Sequence, residues 1–573
     1  MRKLFSVVAF LIISINTFSQ DEIEKAATMI DNGQYESAVL LMNEYIPKHP
    51  LDELGYINRG IAYIYLAELA KGLDDLSTYI SINSKNADAY NKRGFCYMNL
   101  GKEQEAKADF EKAISLNEKY IDAYENMGWM ATKREDYTTA VEWYSKAIKI
   151  NPASYNAYLQ RGAAYRLMGE EAKSLEDLKL AIEIQPKNYE GYQYLAQLYQ
   201  QQGLVDKTLE AIEKCIELDP KNSVNYVNAS SIYLDAGNYD KARKFAEKAK
   251  EVNPKNYEAE EFLIMIDYAQ EKYEVALANA KKLRAISKAG AKTYNVLGLY
   301  YWHIAMNADS AAYYFKEAID MDKLYVYPYK NISDIFAYYK MSDDAIEGYS
   351  MAINLAPKDA FIYNKRGLVY LEQKQNILLA EEDFKTAMKL APENTEFKNN
   401  YGRMFIGSNP EKANGVFDEI LKTNPKYIYA YYNKAVIQIN KENYKEAIAL
   451  LDKAIKIEPK FSDANFIKGY CNIMLKDYKS GKAEFEKYIA MDDKNSTAYN
   501  NLGLCCSELK DNKNATIYFN KSIELDPKNS MPYYNRGKMK IKAGQAADGC
   551  ADLKTASDLG NKDAEEMMKE NCK

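Results

Sequence analysis

A unit of about 34 residues, seen most clearly from Ile121 to Ser154, repeats along almost the whole chain. Apolar and small residues recur at three- and four-residue spacings in each half of the unit, so each half predicts an amphipathic helix. Asn151-Pro152 closes the second helix, because proline has no amide hydrogen and restricts the residue before it. Gly128 and Ala140 are small enough for the two helices to approach closely, with Tyr124 and Tyr144 filling the space beside them. The unit therefore predicts a helix-turn-helix hairpin.

Alignment on Gly128 as the eighth place divides the sequence into about sixteen such units. A chain of 573 residues would ordinarily split into domains, because single hydrophobic cores stop growing near roughly 250 to 300 residues. Stacked repeats escape that limit, since each unit buries itself only against its neighbours. The predicted fold is all-α: a right-handed α-solenoid of about 16 units, with no room for an inserted domain.

The unit resembles the tetratricopeptide repeat, whose pattern is an aromatic residue, Leu-Gly and Tyr in the first helix, then Ala, Phe, Ala and a closing Pro. Tyr124, Gly128, Ala140, Ala147 and Pro152 carry this resemblance in the unit from Ile121. It implies a protein-binding scaffold, although a fold does not identify its ligand. It also implies that the first helices line a concave groove, with the second, fifth, sixth, ninth and twelfth places of each unit open to the ligand.

Residues 1–19 predict a cleaved signal peptide. A positive start at Met1-Arg2-Lys3 precedes an apolar run from Leu4 to Ile15, and small residues stand before Gln20. The run is too short to span a bilayer comfortably, and no cysteine follows it, so we expect neither a lipid anchor nor membrane insertion. The mature chain is expected to be exported, to the periplasm or outside the cell. An uncleaved anchor or an N-terminal helix of the fold is the alternative.

The repeat register divides the remaining chain into three segments: units one to eight at 20–290, units nine to sixteen at 291–556, and a polar capping helix at 557–573. Units nine and eleven each carry one extra residue and unit twelve is one short, changes that belong in the turns between helices. The sequence leaves open whether the two arrays form one continuous solenoid or two stacked ones.

Catalysis finds no support in the sequence. The chain has two histidines, His49 and His303, and neither accompanies a nucleophile at motif spacing, a phosphate-binding loop or a metal-ligand cluster. We therefore expect no enzymatic activity, no cofactor and no metal site. The net charge of −6 comes from interspersed acidic and basic residues, which argues against a nucleic-acid partner.

Asparagine occupies the sixth place of eight units. Its side chain has two N–H donors and a carbonyl acceptor, which match the acceptor and donor of a peptide unit. A ladder of such side chains can hold an extended polypeptide by its backbone, although asparagine is also simply common at this place in the family. The predicted ladder is Asn58, Asn126, Asn228, Asn331, Asn400, Asn433, Asn501 and Asn535.

The resemblance does not extend to the carboxylate clamp of some tetratricopeptide domains. That clamp requires lysine at the second place and a basic residue at the sixth. Lys292 is the basic exception at the second place, but its unit has Val296 at the sixth. The second place is more often acidic, which favours neutral or basic partners; the acids are Asp88, Asp122, Glu190, Glu258, Glu396 and Asp463.

Aromatic residues crowd units nine and ten beyond what the repeat needs. Tyrosine gives a large contact area at modest entropic cost and is frequent in binding hot spots. Core filling accounts for most of these rings, and the remaining candidates for partner binding are Tyr300, Tyr327 and Tyr339.

Seven cysteines in an exported chain leave at least one thiol unpaired within it. Cys550 and Cys572 bracket the last helical hairpin, and we expect them to form a disulfide that staples the end of the array. Cys96, Cys215 and Cys471 occur singly in helices and are expected to pack as small apolar residues. The pairing of Cys471, Cys505 and Cys506 is not decided by the sequence.

The predicted function is that of a non-catalytic scaffold that binds a polypeptide partner in its groove. Two alternatives remain. One is a structural assembly factor of a cell-envelope complex that uses the convex faces, and the other is ligand or carbohydrate binding at the irregular aromatic centre, 257–345.

Overall fold

A computed structural model describes residues 21–572, and all regular structure within this range is helical. The predicted signal peptide, residues 1–19, lies outside the described residues. The chain forms two compact units that divide between Ala289 and Gly290. In both, consecutive helices pair into hairpins that pack against their neighbours in the sequence, as a stack of repeats requires.

The N-terminal unit contains eight hairpins, in which the odd-numbered helix is the first of each pair. Its helices are α1 (21–31), α2 (Tyr35–Tyr45), α3 (Glu53–Tyr65), α4 (Leu69–Ile82), α5 (Ala87–Asn99), α6 (Glu103–Leu116), α7 (Ile121–Lys133), α8 (Tyr137–Ile150), α9 (Tyr155–Leu167), α10 (Glu171–Ile184), α11 (Tyr189–Gln201), α12 (Val205–Leu218), α13 (Ser223–Asp235), α14 (Tyr239–Val252), α15 (Tyr257–Ala269) and α16 (Tyr273–Ala285).

The C-terminal unit continues the same alternation and adds one final helix. Its helices are α17 (Ala291–His303), α18 (Ala308–Met321), α19 (Val326–Tyr338), α20 (Ser342–Leu355), α21 (Ala360–Glu372), α22 (Ile377–Leu390), α23 (Thr395–Arg403), α24 (Pro410–Thr423), α25 (Ile428–Asn440), α26 (Tyr444–Ile457), α27 (Ser462–Met474), α28 (Tyr478–Met491), α29 (Ser496–Glu508), α30 (Asn512–Leu525), α31 (Ser530–Lys542), α32 (Ala546–Asp558) and α33 (Lys562–Asn571).

Close approach of the two helices of a hairpin depends on the small residue at the eighth place, as the sequence predicts. A Cβ atom added to Gly128 would lie 2.6 Å from Cε1 of Tyr144, far inside van der Waals contact. Ala140 and Tyr144 are buried beside it. The glycine is therefore a packing requirement: the ring on α8 occupies the volume that a side chain on α7 would need.

The fourth-place tyrosines have a second task besides packing. The hydroxyl of Tyr124 donates to the carbonyl of Glu118, and that of Tyr431 donates to the carbonyl of Pro425, at 3.0 and 3.2 Å. Each bond fixes the turn that enters a first helix by satisfying one of its backbone acceptors. This pairing accounts for part of the unusual tyrosine content of the chain.

Two of the three register irregularities lie in the turns between the helices of a hairpin. Three residues, 134–136, connect α7 to α8, whereas four connect α17 to α18 and α21 to α22, at 304–307 and 373–376. The predicted extra residue of units nine and eleven is therefore confirmed in the turn. For unit twelve the prediction that the missing residue lies in the turn is wrong: the first helix itself is shortened, to the nine residues of α23, and residues 404–409 connect it to α24.

The array ends on the short polar helix α33, which occupies the core of the predicted segment 557–573. Ala564 is buried against Leu553 and Ala556 of α32, and Met567 and Met568 pack beside them. A disulfide joins Cys550 to Cys572, with their Cα atoms 5.7 Å apart. The other five cysteines are buried free thiols.

Candidate ligand-binding face of the first helices

The first-helix face is defined here as the surface formed by the second, fifth, sixth, ninth and twelfth places of successive first helices. Its geometry depends on arginines at the seventh place that sequence reasoning missed. Each donates to an aspartate on the second helix of its own hairpin, and the aspartates are buried; the pairs are Arg59–Asp75, Arg93–Asp109, Arg161–Asp177, Arg366–Asp383 and Arg536–Asp552.

Several of these arginines also reach the preceding repeat. Nη1 of Arg161 donates to Oγ of Ser145 at 2.9 Å, and Nη1 of Arg366 donates to Oγ of Ser350 at 2.8 Å. The guanidinium of Arg161 lies over the rings of Tyr158 and Tyr165, at 5.6 and 5.9 Å from their centroids. One side chain thus fixes the first helix against its own partner helix and the preceding hairpin. The spacing between Arg and Asp was the signal that could have revealed it: it is sixteen residues in four of the pairs and seventeen in Arg366–Asp383.

The predicted asparagines pair with one another along the face. In five units the Nδ2 group at the sixth place donates to Oδ1 of an asparagine at the fifth place of the preceding unit. The donor–acceptor distances lie between 2.8 and 3.0 Å, and the pairs are Asn126–Asn91, Asn331–Asn295, Asn400–Asn364, Asn433–Asn399 and Asn535–Asn500.

The remaining three predicted asparagines have other surroundings. Asn58 donates to the carbonyl of Ile23 at 3.2 Å, and Asn501 accepts from Nδ2 of its neighbour Asn500 at 3.3 Å. Asn228 lines a cavity described below. Sequence reasoning identified the sixth-place asparagines but not their fifth-place partners. Each donating amide has a second N–H group outside this bond; the side chains of Asn126 and Asn331 are partly exposed, whereas Asn400, Asn433 and Asn535 are buried.

One cavity of about 510 Å³ lies between α23 and α25 and is lined mainly by residues of the first-helix face. Two predicted asparagines, Asn400 and Asn433, are brought together in it. Three tyrosines form the aromatic part of its wall: Tyr427, Tyr429 and Tyr432. Tyr429 is 48% exposed, and burial raises the pKa of Tyr427 to about 12. The hydroxyl group of Tyr427 therefore stays protonated, and the three tyrosines offer ring faces and hydroxyl groups to a ligand.

Arg403 is the cation of this cavity, and it is already engaged. Its Nη1 donates to Oδ1 of Asn400 at 3.3 Å, and its Nη2 donates to Oε1 of Glu372 at 3.0 Å. Glu396 lies on the same wall. The cavity thus contains charges of both signs. Its tyrosine rings provide apolar contact area, and its asparagine side chains provide hydrogen-bonding groups.

A second cavity, of about 210 Å³, lies in the N-terminal unit between α11 and α13. Its polar wall is built from Gln193, Gln197, Gln200, Asn228 and Ser231. Amide side chains both donate and accept hydrogen bonds, so this wall suits a peptide backbone.

The aromatic centre contains the other three predicted site residues, and they differ in exposure. Tyr339 is 55% exposed, Tyr327 is 45% exposed, and Tyr300 is only partly exposed and meets the ring of Tyr301 edge-on at 5.7 Å. Tyr339 lines a cavity of about 590 Å³ beside the turn after α17. Its neighbour Tyr338 is 69% exposed and packs edge-on against Trp302. Sequence reasoning did not single out Tyr338.

Carboxylates on the face of the N-terminal unit are partly buried. Asp88 accepts a hydrogen bond from the Tyr120 hydroxyl at 2.6 Å, and Glu125 accepts one from Ser154 at 2.6 Å. Burial raises the pKa of the Glu125 carboxyl, although the Ser154 hydrogen bond acts in the opposite direction. Both carboxylates are thus held by a hydroxyl group at the start of the next first helix.

Within residues 21–572, no group of acidic, histidine and cysteine side chains has the arrangement of a metal site. Burial raises the pKa of Cys96, Cys215 and Cys471 to about 11, so these thiols are protonated near neutral pH and unreactive. No helix in the described part of the chain combines the length and apolar character needed to cross a bilayer.

Models of known families match this chain in both compact units. A family described as "TPR repeat" matches residues 130–169. Two models described as "Tetratricopeptide repeat" match residues 87–120 and 428–461, and residues 155–188, 189–222, 225–256 and 496–529. No curated protein matches the sequence.

Solved structures resemble the chain in fold. One is described as the "APC/C hetero-tetramer Cut9-Hcn1": it is 16% identical, the match covers 84% of this chain and 95% of that chain, and the TM-score is 0.56. A tetratricopeptide repeat protein from Parabacteroides merdae is 22% identical over 43% of this chain and 98% of its own, with a TM-score of 0.36. At these identities the first likeness concerns the fold alone. The chain thus carries tetratricopeptide repeats and has the all-helical solenoid fold that such repeats build.

Proposed function

We propose that the protein is an exported, non-catalytic scaffold that binds a polypeptide along its first-helix face. The observation that carries the proposal is the cavity between α23 and α25, where groove places of adjacent first helices bring two predicted asparagines together with three tyrosines. Tetratricopeptide repeats suggest a protein partner, and a preformed face binds one with little ordering of its own.

Each group in this cavity has a distinct role in the proposed binding. The half-exposed ring of Tyr429 supplies an apolar anchor, since aromatic side chains concentrate binding energy in a small area. Asn400 and Asn433 each use one N–H for the neighbouring repeat, and in the proposed complex the second N–H of each amide donates to the ligand backbone. Binding through the backbone makes the affinity depend weakly on the ligand sequence.

A crosslinking pull-down from intact cells tests the proposal with a matched pair of variants. Tyr429→Ser removes a 48% exposed ring from the first-helix face, whereas Tyr313→Ser removes a 49% exposed ring from the second helix α18. We expect the first variant to lose a discrete partner that the wild type and the second variant retain. A partner that is captured equally by both variants, or lost only in Tyr313→Ser, contradicts binding at this face.

Export is tested separately by sequencing the N-terminus of the mature protein. We expect Gln20 as the first residue and recovery of the protein outside the cytoplasm. Retention of Met1 on protein fractionating with the cytoplasm contradicts export and leaves the scaffold proposal intact.

The aromatic centre is a second candidate for ligand binding, by a small molecule or a carbohydrate. Tyr338 and Tyr339 are both more than half exposed, and Tyr339 lines the cavity beside the turn after α17. Such rings suit stacking against the apolar face of a sugar. Loss of the partner in Tyr339→Ser but not in Tyr429→Ser would assign binding to this centre instead.

A further inference from the structure

Arg166, at the twelfth place of unit five, differs from the paired arginines of the repeat. It lies in the last turn of α9, its Nε atom is buried, and that atom has no hydrogen-bond partner within the described residues. Arg161, five positions earlier on the same helix, has Nε and Nη2 on Asp177 and Nη1 on Ser145. The fold thus satisfies one arginine of this helix and leaves the buried donor of the other unused.

A buried guanidinium Nε without an acceptor is unfavourable in this position. Burial lowers the pKa of Arg166, and the hydroxyl groups of Tyr194 and Tyr137 act in the opposite direction. No carboxylate is among the groups that influence it. The C-terminal end of α9 favours a positive charge there, but it provides no acceptor for the buried Nε. A buried polar donor without an acceptor costs free energy unless something external supplies one.

Helix α9, which carries Arg166, is the neighbour of one of the two helices that enclose the amide-lined cavity. Helix α9 contacts α11 directly, and α11 contributes Gln193, Gln197 and Gln200 to the cavity wall, with Asn228 facing them from α13. Arg166 therefore belongs to the first-helix face. The next first helix, α11, carries amide side chains suited to a peptide backbone.

We propose that Arg166 binds a carboxylate of the peptide partner, while the backbone of that peptide pairs with the amides between α11 and α13. The planar guanidinium matches the two oxygens of a carboxylate in a bidentate arrangement, and such charge-assisted bonds are the strong ones. The inference rests on the proposed function and deepens it, because it assigns an acidic group to the partner. It does not depend on the lysine-based clamp, whose residues this chain lacks.

Three pentapeptide probes with a neutral BODIPY label test the proposal against the full-length protein by fluorescence anisotropy. The first has the sequence Ser-Gly-Glu-Gly-Ser with both ends blocked, and the second replaces Glu by Gln. The third keeps Gln but has a free C-terminal carboxylate. The first or third probe should bind the wild type at least about tenfold more tightly than the second, and the one that does so identifies the source of the carboxylate as a side chain or a chain end.

Two variants connect the preference to Arg166. Arg166→Gln should abolish the preference for the carboxylate probe, whereas Lys179→Gln, which removes an exposed positive charge from α10 of the same repeat, should keep it. Arg166→Gln should also melt at or above the wild-type temperature, because it removes the buried Nε donor that has no acceptor. A melting temperature lowered by several degrees would instead show that Arg166 stabilises the fold, and would overturn the proposal.

The outcomes also separate this inference from the scaffold function. Equal binding of all three probes to the wild type, including no binding at all, overturns the carboxylate proposal, as does a preference that survives in Arg166→Gln. The same variant in the crosslinking pull-down then shows whether the scaffold stands without it. A partner that is still captured by Arg166→Gln leaves the first-helix face as the binding surface.

Discussion

Arg161 donates two parallel hydrogen bonds to Asp177, from Nε to Oδ2 and from Nη2 to Oδ1, each 2.8 Å long. The pair joins α9 to α10, and the third nitrogen of the guanidinium reaches Ser145 on α8. The hydrogen bond to Asp177 raises the pKa of Arg161, so the ion pair persists across the physiological range. Both the hairpin and its contact with the preceding repeat therefore depend on one side chain.

Removing Arg161 should destabilise this repeat strongly. The Asp177 side chain is 4% exposed, so Arg161→Met leaves a buried carboxylate without its partner, at a cost of about 3 kcal/mol. Because repeats unfold in a locally coupled way, hydrogen exchange of α8–α10 should accelerate much more than that of α3–α5. Mass spectrometry of peptic fragments measures both regions in one sample.

The double variant Arg161→Met, Asp177→Leu is the control for charge burial. Replacing both members of a buried pair by apolar residues of similar volume is often nearly neutral, so exchange in α8–α10 should return close to the wild-type rate. Equally fast exchange in the single and double variants would contradict a role for the uncompensated charge.

The contact between Gly128 and Tyr144 predicts a second pair of effects. Gly128→Ala places a methyl group where the ring stands, 2.6 Å from Cε1, and overpacking of this kind costs about 1 to 3 kcal/mol. Tyr144→Leu should relieve the clash. A Cβ atom added to Gly60 or Gly162 would lie 3.2 Å from Cγ of Leu76 or 3.0 Å from Cγ of Leu178, farther than the 2.6 Å to the tyrosine ring. Denaturant unfolding of the single variants and of the double variant gives the coupling energy. Additive effects would show that the ring is not what excludes the methyl group.

The parts of this fold that can be predicted from the sequence are those whose contacts repeat with the period of a helix. Gly128, Ala140 and Tyr144 lie on faces that repeat every three or four residues, so the hairpin and its packing can be inferred from one unit. Arg161 and Asp177 are joined only after the hairpin closes, and Asn126 and Asn91 only after two hairpins stack. Pairs of this kind appear in the sequence as spacings of about one half or one whole repeat, which helix periodicity does not reveal.

The candidate site was predictable to a similar degree. The sixth-place asparagines follow from the repeat register, but that Asn400 and Asn433 share a cavity with Tyr429 depends on the shortened helix α23 and its neighbours. Arg166 carries no sequence signal, because an arginine in the last turn of a helix is ordinary. Its significance depends on the acceptor that the surrounding helices do not supply.

The turn between α7 and α8 predicts a stabilising substitution. Glu135 has φ of +60°, and the equivalent Gly169 in the next repeat has φ of +77°. A left-handed conformation costs a residue with a side chain roughly 1 kcal/mol more than glycine, so Glu135→Gly should stabilise its hairpin and Gly169→Ala should destabilise the next by a similar amount. Thermal unfolding compared under identical conditions measures both changes. Destabilisation by Glu135→Gly would mean that flexibility gained by the unfolded chain exceeds the strain relieved.

The disulfide between Cys550 and Cys572 predicts a local response to reduction. The two cysteines are 22 residues apart, and closing a loop of this size contributes about 3 kcal/mol, which here acts on α32 and α33 alone. Mild reduction of the native protein should therefore accelerate hydrogen exchange in these two helices and leave the N-terminal unit unchanged. Iodoacetamide added afterwards should label Cys550 and Cys572, because the other cysteines are buried and burial raises the pKa of Cys505 to about 12.

The double variant Cys550→Ser, Cys572→Ser provides the control, since its exchange should match that of the reduced wild type with or without reductant. Labelling of both residues before reduction would contradict the pairing, and accelerated exchange throughout the array would contradict its local role.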